Sequence, residues 1–123
     1  MSDEVQFAPL MGFEFVREGE GAPYLTLAIQ EKHRQGNGVV HGSVIHGILD
    51  TIMGMQCFRA NGRKPCATAE ISIRYLEPVF DGVLEGRARV IKLGKRLCTL
   101  EGTVSREGTP VAVGQATFVT LAS

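Results

Sequence analysis

The sequence contains no tryptophan, two tyrosines and six phenylalanines. So few aromatic side chains argue against a surface on which nucleic-acid bases stack. An excess of one charge is also missing, because thirteen Lys and Arg residues balance thirteen Asp and Glu residues. The chain as a whole therefore has no field that would attract nucleic acid or anionic lipid, and a phosphate-bearing ligand would need a local group of basic side chains. We predict no nucleic-acid partner.

Long hydrophobic runs and paired cysteines are absent too. No run is long enough to span a membrane, and the N-terminal segment MSDEVQFAPL is acidic, unlike a signal peptide. These features predict a cytoplasmic protein without a membrane partner. The three cysteines, Cys57, Cys66 and Cys98, are odd in number and lack the spacing of metal ligands. We therefore expect reduced thiols, mostly in packing positions, and no metal site.

A length of 123 residues allows one domain, residues 1–123, with a single core. Hydrophobicity alternates with a period of two at 12–16 and 24–30, which predicts a hairpin around the turn at 18–23. The pattern then changes to three- and four-residue steps, which predicts a helix from about Gly42 to Ala60.

The period of two returns at Ala67 and continues to the end. Strands are predicted at 68–79, 84–93, 98–104 and 111–121, the last three joined as an antiparallel meander by turns at 92–96 and 106–110. A single helix can bury its apolar stripe only on the concave face of a curved sheet, so we predict an α+β fold with one long helix wrapped by about six strands. One helix cannot cover that sheet, so the sheet edges and the uncovered helix face predict a homodimer, although an extended N-terminal segment could mask part of that surface.

The predicted helix has two different surfaces. Half of its circumference is apolar and carries Val44, Ile45, Ile48, Leu49, Ile52 and Met53. Asp50 falls on the opposite side, among Ser43, Gly47 and Gly54. Each interior glycine costs about 1 kcal/mol relative to alanine, so two of them predict close approach by a partner helix or a ligand. Plainer interpretations stay open: a solvated Asp50, and small residues that serve helix packing.

The two histidines of this helix region are interpreted differently. His46 precedes Asp50 by four residues, close enough on a helix for a hydrogen bond, and we interpret it as a polar packing residue. His41 lies at the helix start, where free N–H groups stabilise negative charge. The Gly42 N–H could there polarise a carbonyl oxygen, with an ordinary helix entry as the alternative. A metal site from His41, His46 and Asp50 is disfavoured, because this spacing does not place three ligands on one face.

These residues resemble a known family, the hotdog-fold acyl-CoA thioesterases of the phenylacetate-pathway and human single-hotdog type, in the 4-hydroxybenzoyl-CoA thioesterase-like superfamily. The similarity lies in His-Gly at 41–42, the carboxylate nine residues after the histidine (Asp50), and Gly54. The strand TAEISIRYLEPV at 68–79 is similar to the family element T-V-E-x-x-x-x-Y-x-x-P, and the order of elements agrees along nearly the whole chain. The resemblance implies the hotdog fold, hydrolysis of an aryl- or fatty acyl-CoA, and a homodimer that pairs into a homotetramer.

The sequence departs from the family pattern in ways that concern the substrate. Ser43 replaces the second glycine of the family's His-Gly-Gly, which a helix start tolerates. Gln35 matches the amide residue six positions before the histidine, as in the 4-hydroxybenzoyl-CoA thioesterases, and Asn37 is a second, out-of-register choice. Those enzymes carry Glu where this chain has Asp50. Features of two subgroups are combined, which leaves the acyl group open.

The resemblance also implies a mechanism. The Gly42 N–H polarises the thioester carbonyl, while Gln35 and His41 orient it or a water molecule. Asp50, reaching in from the opposing subunit, acts as general base or as nucleophile, and Thr68 positions the water. A strand hydroxyl bonded to backbone is the plainer interpretation of Thr68.

The remaining predicted contacts concern the substrate itself. Ser43, Asn37 and Gly54 are candidates for contact with it, and Arg59, Lys95 and Arg96 are candidates for the CoA phosphates. No cofactor is implied, since CoA is part of the substrate.

Other classes of function stay open. A non-catalytic acyl-CoA-binding hotdog module would lack the carboxylate or carry a DNA-binding domain, which fits neither Asp50 nor the length. A hotdog dehydratase would use a histidine base with a differently placed acid. A purely structural dimer module is the residual interpretation.

Overall fold

A computed structural model describes residues 6–121, in which one long helix is wrapped by a curved, six-stranded antiparallel sheet. The helices are α1 (Phe7–Met11) and α2 (Gly42–Ala60), with a 3-10 turn at Glu31–His33 between them. The strands are β1 (Glu14–Val16), β2 (Tyr24–Ala28), β3 (Cys66–Tyr75), β4 (Val83–Leu93), β5 (Leu97–Arg106) and β6 (Thr109–Thr120). The predicted α+β hotdog architecture is confirmed, including both ends of the long helix.

The strands lie in the order β1–β2–β4–β5–β6–β3, and all neighbours are antiparallel. The meander predicted for the last three strands is therefore confirmed. The strand that follows α2, β3, pairs with β6 at the far edge of the sheet. Its other edge pairs with no strand within residues 6–121, so a ten-residue strand is left with backbone groups that can pair with another chain.

The core lies between α2 and the concave face of the sheet. All six residues of the predicted apolar stripe are at most 3% exposed, and burying each such side chain stabilises the fold by roughly 1.5–3 kcal/mol. The three cysteines are free thiols, as predicted. Burial raises the pKa of the Cys57 thiol to about 12, so at neutral pH it packs as an apolar side chain. No helix in the described part of the chain is long and apolar enough to cross a bilayer.

The N-terminal region differs from the prediction. The expected strand at 12–16 is shortened to β1, because α1 occupies Phe7–Met11 and ends at Gly12 in the left-handed conformation, with φ of 89°. A side chain with a Cβ disfavours that conformation, so Gly12 is suited to end the helix. A five-residue helix gives no periodic signal of its own and depends on tertiary packing, which explains why the sequence pattern did not predict it.

Candidate active site

The loop that leads into α2 places Gln35 beside the start of the helix. Arg34 and Val40 form an isolated antiparallel bridge, and between them the Gln35 N–H donates to the Val39 carbonyl at 2.9 Å. The side-chain oxygen of Asn37 accepts the Val39 N–H at 3.1 Å. Asn37 therefore holds the turn, whereas Gln35 lines a cavity at the helix start.

His41 is the N-cap of α2. Its Nδ1 accepts the Ser43 N–H at 3.0 Å and lies 2.8 Å from the Ser43 hydroxyl oxygen. A ring nitrogen that accepts an N–H carries no proton, so neutral His41 has its proton on Nε2, the atom left for a ligand. The Ser43 amide is used by this cap. The Gly42 amide, in contrast, donates to no acceptor within residues 6–121.

The cavity at the helix start, here the helix-start cavity, has a volume of about 280 Å³. It is lined by Gln35, Val39, Val40, Gly42, Ile45, Tyr75, Leu76, Glu77, Pro78 and Val79. Gly42 and Gln35, predicted to act on the same carbonyl, thus line one cavity. A free amide at the positive end of a helix dipole, beside a neutral amide side chain, suits an oxygen atom that gains negative charge.

Asp50 lies farther along α2 and is bonded to Thr68. The Thr68 hydroxyl donates to Oδ1 of Asp50 at 2.6 Å, so Thr68 is not a strand hydroxyl bonded to backbone. Both residues line a second cavity of about 380 Å³, here the carboxylate cavity, with Thr51, Gly54, Phe58, Pro65, Cys66, Ala67 and Phe118. Within residues 6–121 no hydrogen bond is made to the second carboxylate oxygen, which is left for a water molecule or a substrate atom in a setting that is otherwise largely apolar.

Each of the two helical glycines lies against a phenylalanine ring of the same chain. A Cβ at Gly47 would lie 2.9 Å from Cζ of Phe7, and a Cβ at Gly54 would lie 3.1 Å from Cε2 of Phe118. Real Cβ atoms rarely or never have neighbours this close, so each glycine makes room for a phenylalanine ring of the same chain. The predicted close approach is found, but its partners within the described chain are α1 and β6. Gly54 also lines the carboxylate cavity, as expected of a residue near the substrate.

The two cavities are separate within one chain. Gly42 and Asp50 are eight residues apart on one continuous helix, which is about 12 Å at about 1.5 Å per residue. An oxyanion donor and a base must both lie about 3 Å from the atoms of one thioester group. A single copy of the chain therefore does not bring Gly42 and Asp50 to the same carbonyl.

The predicted basic residues fall into two groups. The Arg59 guanidinium donates to the Gln56 side chain at 3.0 Å, and Gln56 donates in turn to the Pro23 carbonyl at 2.9 Å, so Arg59 belongs to a packing network. Lys95 and Arg96 line a third cavity of about 590 Å³ at the β4–β5 turn. Neither residue forms an ion pair with any group in residues 6–121.

The structure also bears on His46 and on the disfavoured metal site. His46 is half-buried on α2 and makes no side-chain hydrogen bond to Asp50, whose partner is Thr68. Among residues 6–121, no three His, Cys, Asp or Glu side chains are grouped so that they could hold a metal ion.

Two residues near the helix start were not predicted as site residues. His33 is 1% exposed; its Nδ1 accepts the Gln30 N–H at 2.9 Å, and its Nε2 lies 2.7 Å from the Met11 carbonyl oxygen. The sequence does not identify His33 as a buried residue, because it lies in the polar segment EKHRQGNG. Tyr75 donates its hydroxyl to the Gly42 carbonyl at 2.9 Å. Tyr75 could have been identified as a site residue from its position in the Tyr-x-x-Pro element.

Comparisons with known proteins agree with this fold. The sequence pattern of the thioesterase superfamily matches residues 37–113, more than half of the chain. Conserved protein PA5202 of Pseudomonas aeruginosa is 32% identical, with a TM-score of 0.87 over 93% of this chain and 92% of that one. The BH2602 protein of Bacillus halodurans, solved with CoA, is 29% identical, with a TM-score of 0.85 over 94% and 78% of the two chains. The fold is that of a hotdog protein, and the chain belongs to the thioesterase superfamily.

The curated relatives match this chain over only part of their own length. "Putative esterase SSO1253" of Saccharolobus solfataricus is 30% identical over 91 residues, which make up 74% of this chain and 61% of that protein. A second one from the same organism is likewise covered over 61% of its length. The chain thus spans about three fifths of the length of these curated relatives.

Proposed function

We propose that the protein is an acyl-CoA thioesterase that hydrolyses an aryl- or fatty acyl-CoA to the free acid and CoA. The observation that carries the proposal is the Asp50 carboxylate, hydrogen-bonded to Thr68 on the wall of a cavity, in a chain of the thioesterase superfamily. The CoA in the Bacillus halodurans structure, which is 29% identical to this chain, supports CoA as part of the substrate.

The proposed site is composite and needs two copies of the chain. The helix-start cavity contains the Gly42 N–H but not Asp50, and the carboxylate cavity contains Asp50 but not that N–H. Because about 12 Å separates the two along α2, the Asp50 of one subunit would act on a thioester bound at the Gly42 of the other. The unpaired edge of β3 supports such a homodimer, since Thr68 lies on that strand.

Two routes lead to the same products. In the first, Asp50 takes a proton from a water molecule whose oxygen attacks the thioester carbon. The carbonyl oxygen gains negative charge and accepts a hydrogen bond from the Gly42 N–H, with Gln35 and the Nε2 of His41 beside it. The C–S bond then breaks, and the CoA thiolate receives the proton from Asp50. In the second, an Asp50 oxygen attacks the carbon itself, CoA leaves, and water hydrolyses the resulting anhydride.

The proposal extends to the residues that contact the substrate. Lys95 and Arg96 are better candidates for the CoA phosphates than Arg59, because Arg59 is engaged with Gln56. Gly54 borders the acyl group in the carboxylate cavity, and Ser43 and Asn37 act through the helix cap and the loop. The proposal requires no metal or other cofactor. It includes a cytoplasmic location and the pairing of dimers into a homotetramer.

The test is release of free CoA thiol from a panel of aryl- and fatty acyl-CoA substrates. Wild type is expected to hydrolyse at least one of them, and Asp50→Asn, which keeps the shape but removes the base, is expected to lose about a thousandfold or more in kcat. Asp81→Asn is the matched control, because that exposed carboxylate pairs with Arg106 and lines neither cavity.

Two results would contradict the proposal. Wild type that hydrolyses no member of the panel but binds acyl-CoA would identify a binding module instead. Full activity of Asp50→Asn on the best substrate would remove Asp50 from the mechanism.

A further inference from the structure

The start of α2 is fixed at three consecutive residues by three different parts of the chain. These hydrogen bonds join Val40 N–H to Val79 C=O at 2.7 Å, His41 N–H to His33 C=O at 2.9 Å, and Gly42 C=O to Tyr75 O–H at 2.9 Å. The first two join backbone to backbone just ahead of the helix. The third is made by a side chain, and it acts on the residue whose amide is free.

Gly42 is the residue at this place that most needs to be fixed. Glycine is the most permissive residue in φ and ψ, and the amides of a first helical turn have no partner within the helix. An amide that is to stabilise a developing charge must already point in the right direction before the reaction. The His41–Gly42 peptide, which carries this N–H, is held by one hydrogen bond of the helix start, from the Val44 N–H to the His41 C=O at 2.9 Å. The next peptide, which carries the Gly42 C=O, is held in addition by the Tyr75 hydroxyl.

Tyr75 is well placed to supply a further constraint on Gly42. As the last residue of β3 it pairs with Ala112 of β6, so its backbone is held by the sheet. Its ring lies over Gly42, where a Cβ would be 3.5 Å from the ring Cζ, and both residues line the helix-start cavity. The side chain is 50% exposed, and its partial burial raises the pKa of the phenol. The hydroxyl therefore remains a donor through neutral and mildly alkaline pH.

We infer that Tyr75 is a positioning residue: its hydroxyl holds the carbonyl of Gly42 and thereby limits rotation about the Gly42 Cα, which keeps the Gly42 N–H pointing into the helix-start cavity. The inference rests on the proposed function, in which that N–H bonds the thioester oxygen. Tyr75 does not serve as the oxyanion donor itself, because a phenol has one proton and the Gly42 carbonyl accepts it.

Tyr75→Phe tests the inference, since it removes the hydroxyl and keeps the ring over Gly42. We expect kcat to fall about tenfold, less than the hundredfold or more that follows complete loss of an oxyanion donor. KM should stay within about twofold, because the substrate contacts are retained. The matched control is Tyr24→Phe, the other tyrosine of the chain, whose exposed hydroxyl donates to Glu18 and lies in neither cavity. Its kcat should equal that of wild type.

A second measurement needs no substrate. The ¹H–¹⁵N signal of the Gly42 amide in the free protein should shift in Tyr75→Phe but not in Tyr24→Phe. This result can be obtained even if the wild type hydrolyses nothing, so failure of the proposed function and failure of the positioning role are distinguished.

Three outcomes would overturn the inference. The first is an unchanged kcat, per folded molecule, in Tyr75→Phe. The second is a raised KM with kcat preserved, which would make Tyr75 a substrate contact. The third is a lowered kcat with an unchanged Gly42 amide signal, which would mean that the hydroxyl acts on the substrate directly.

Discussion

Asp50 and Thr68 come from two elements, α2 and β3, and the contact between them lies beside an irregularity in β3. The register between β3 and β6 shifts between Thr68 and Glu70, which inserts one extra residue into the edge strand. Such a bulge re-aims the neighbouring side chains and increases the local twist. Here it lies directly beside the hydroxyl that reaches Asp50, so a local irregularity of the backbone accompanies the placement of the proposed base.

Thr68→Val tests the value of this contact at the residue scale. The substitution keeps the shape of the side chain and removes the donor, so the carboxylate loses the bond that fixes its rotamer. We expect kcat to fall about tenfold in the acyl-CoA assay, the cost typical of a misaligned catalytic group. Thr51→Val is the control, because Thr51 lines the same cavity without bonding Asp50. Equal kcat values for the two variants would assign Thr68 a purely structural role.

Single residues differed in how far the sequence could predict them. Asp50 and Thr68 could be predicted as parts of one site, because the family resemblance implies a role for both. His33 was not, since its burial depends on Met11 and Gln30, which surround it only after the loop has folded. A polar segment without periodicity contains no information about which of its side chains becomes enclosed.

At the scale of elements, α2 is enclosed by more than the sheet. Its apolar stripe packs on the strands, and α1 covers part of the opposite side by placing Phe7 against Gly47. The ring of Phe7 also packs edge-on against Phe13, with 5.7 Å between the ring centroids. The possibility that the N-terminal segment masks part of the uncovered helix is thus realised in the described chain.

The two glycine contacts should respond differently to a methyl group. Gly54→Ala places a Cβ against Phe118, which is 3% exposed and has no room to move, and overpacking of this kind costs roughly 1–3 kcal/mol. Gly47→Ala meets Phe7, which is 53% exposed on a short helix that can shift. Alanine also favours the helix by about 1 kcal/mol at both positions. Urea unfolding should therefore show Gly54→Ala to be the less stable variant.

The matching rescue is Phe118→Leu in the Gly54→Ala background, which should recover part of the lost free energy of unfolding. Identical unfolding midpoints for Gly47→Ala and Gly54→Ala would contradict the different mobility of the two rings. The same comparison explains why the sequence could predict a close approach to these glycines but not its partner. Phe7 and Phe118 are near the two ends of the chain, and a helical wheel contains no information about such distant residues.

At the scale of the whole molecule, the proposed site makes two chains interdependent. Gly42→Pro removes the oxyanion donor with little expected effect on the fold, because proline is tolerated at the first helical position. His41, the preceding residue, is already extended, with φ of −63° and ψ of 137°, as a residue before proline prefers. Alone, this variant should lose roughly a hundredfold or more in kcat.

Subunit mixing provides the decisive measurement. The Gly42→Pro and Asp50→Asn chains are each expected to be inactive as homodimers. The two chains are co-expressed with different tags, and the mixed dimer is purified. In the mixed dimer, one of the two sites combines an intact Gly42 with an intact Asp50, so about half of the wild-type kcat should return. A mixed dimer as inactive as its parents would show that both groups act within one chain.

The length of α2 between Gly42 and Asp50 has a consequence for how the protein behaves on dilution. A helix is rigid over two turns, so no local motion brings the two groups together within a monomer. In the proposed composite site, turnover per chain would then fall as the protein is diluted through its dimer dissociation constant. The total protein concentration would set the fraction of chains that are in active dimers. In the dilute limit, the rate of hydrolysis would rise with the square of that concentration.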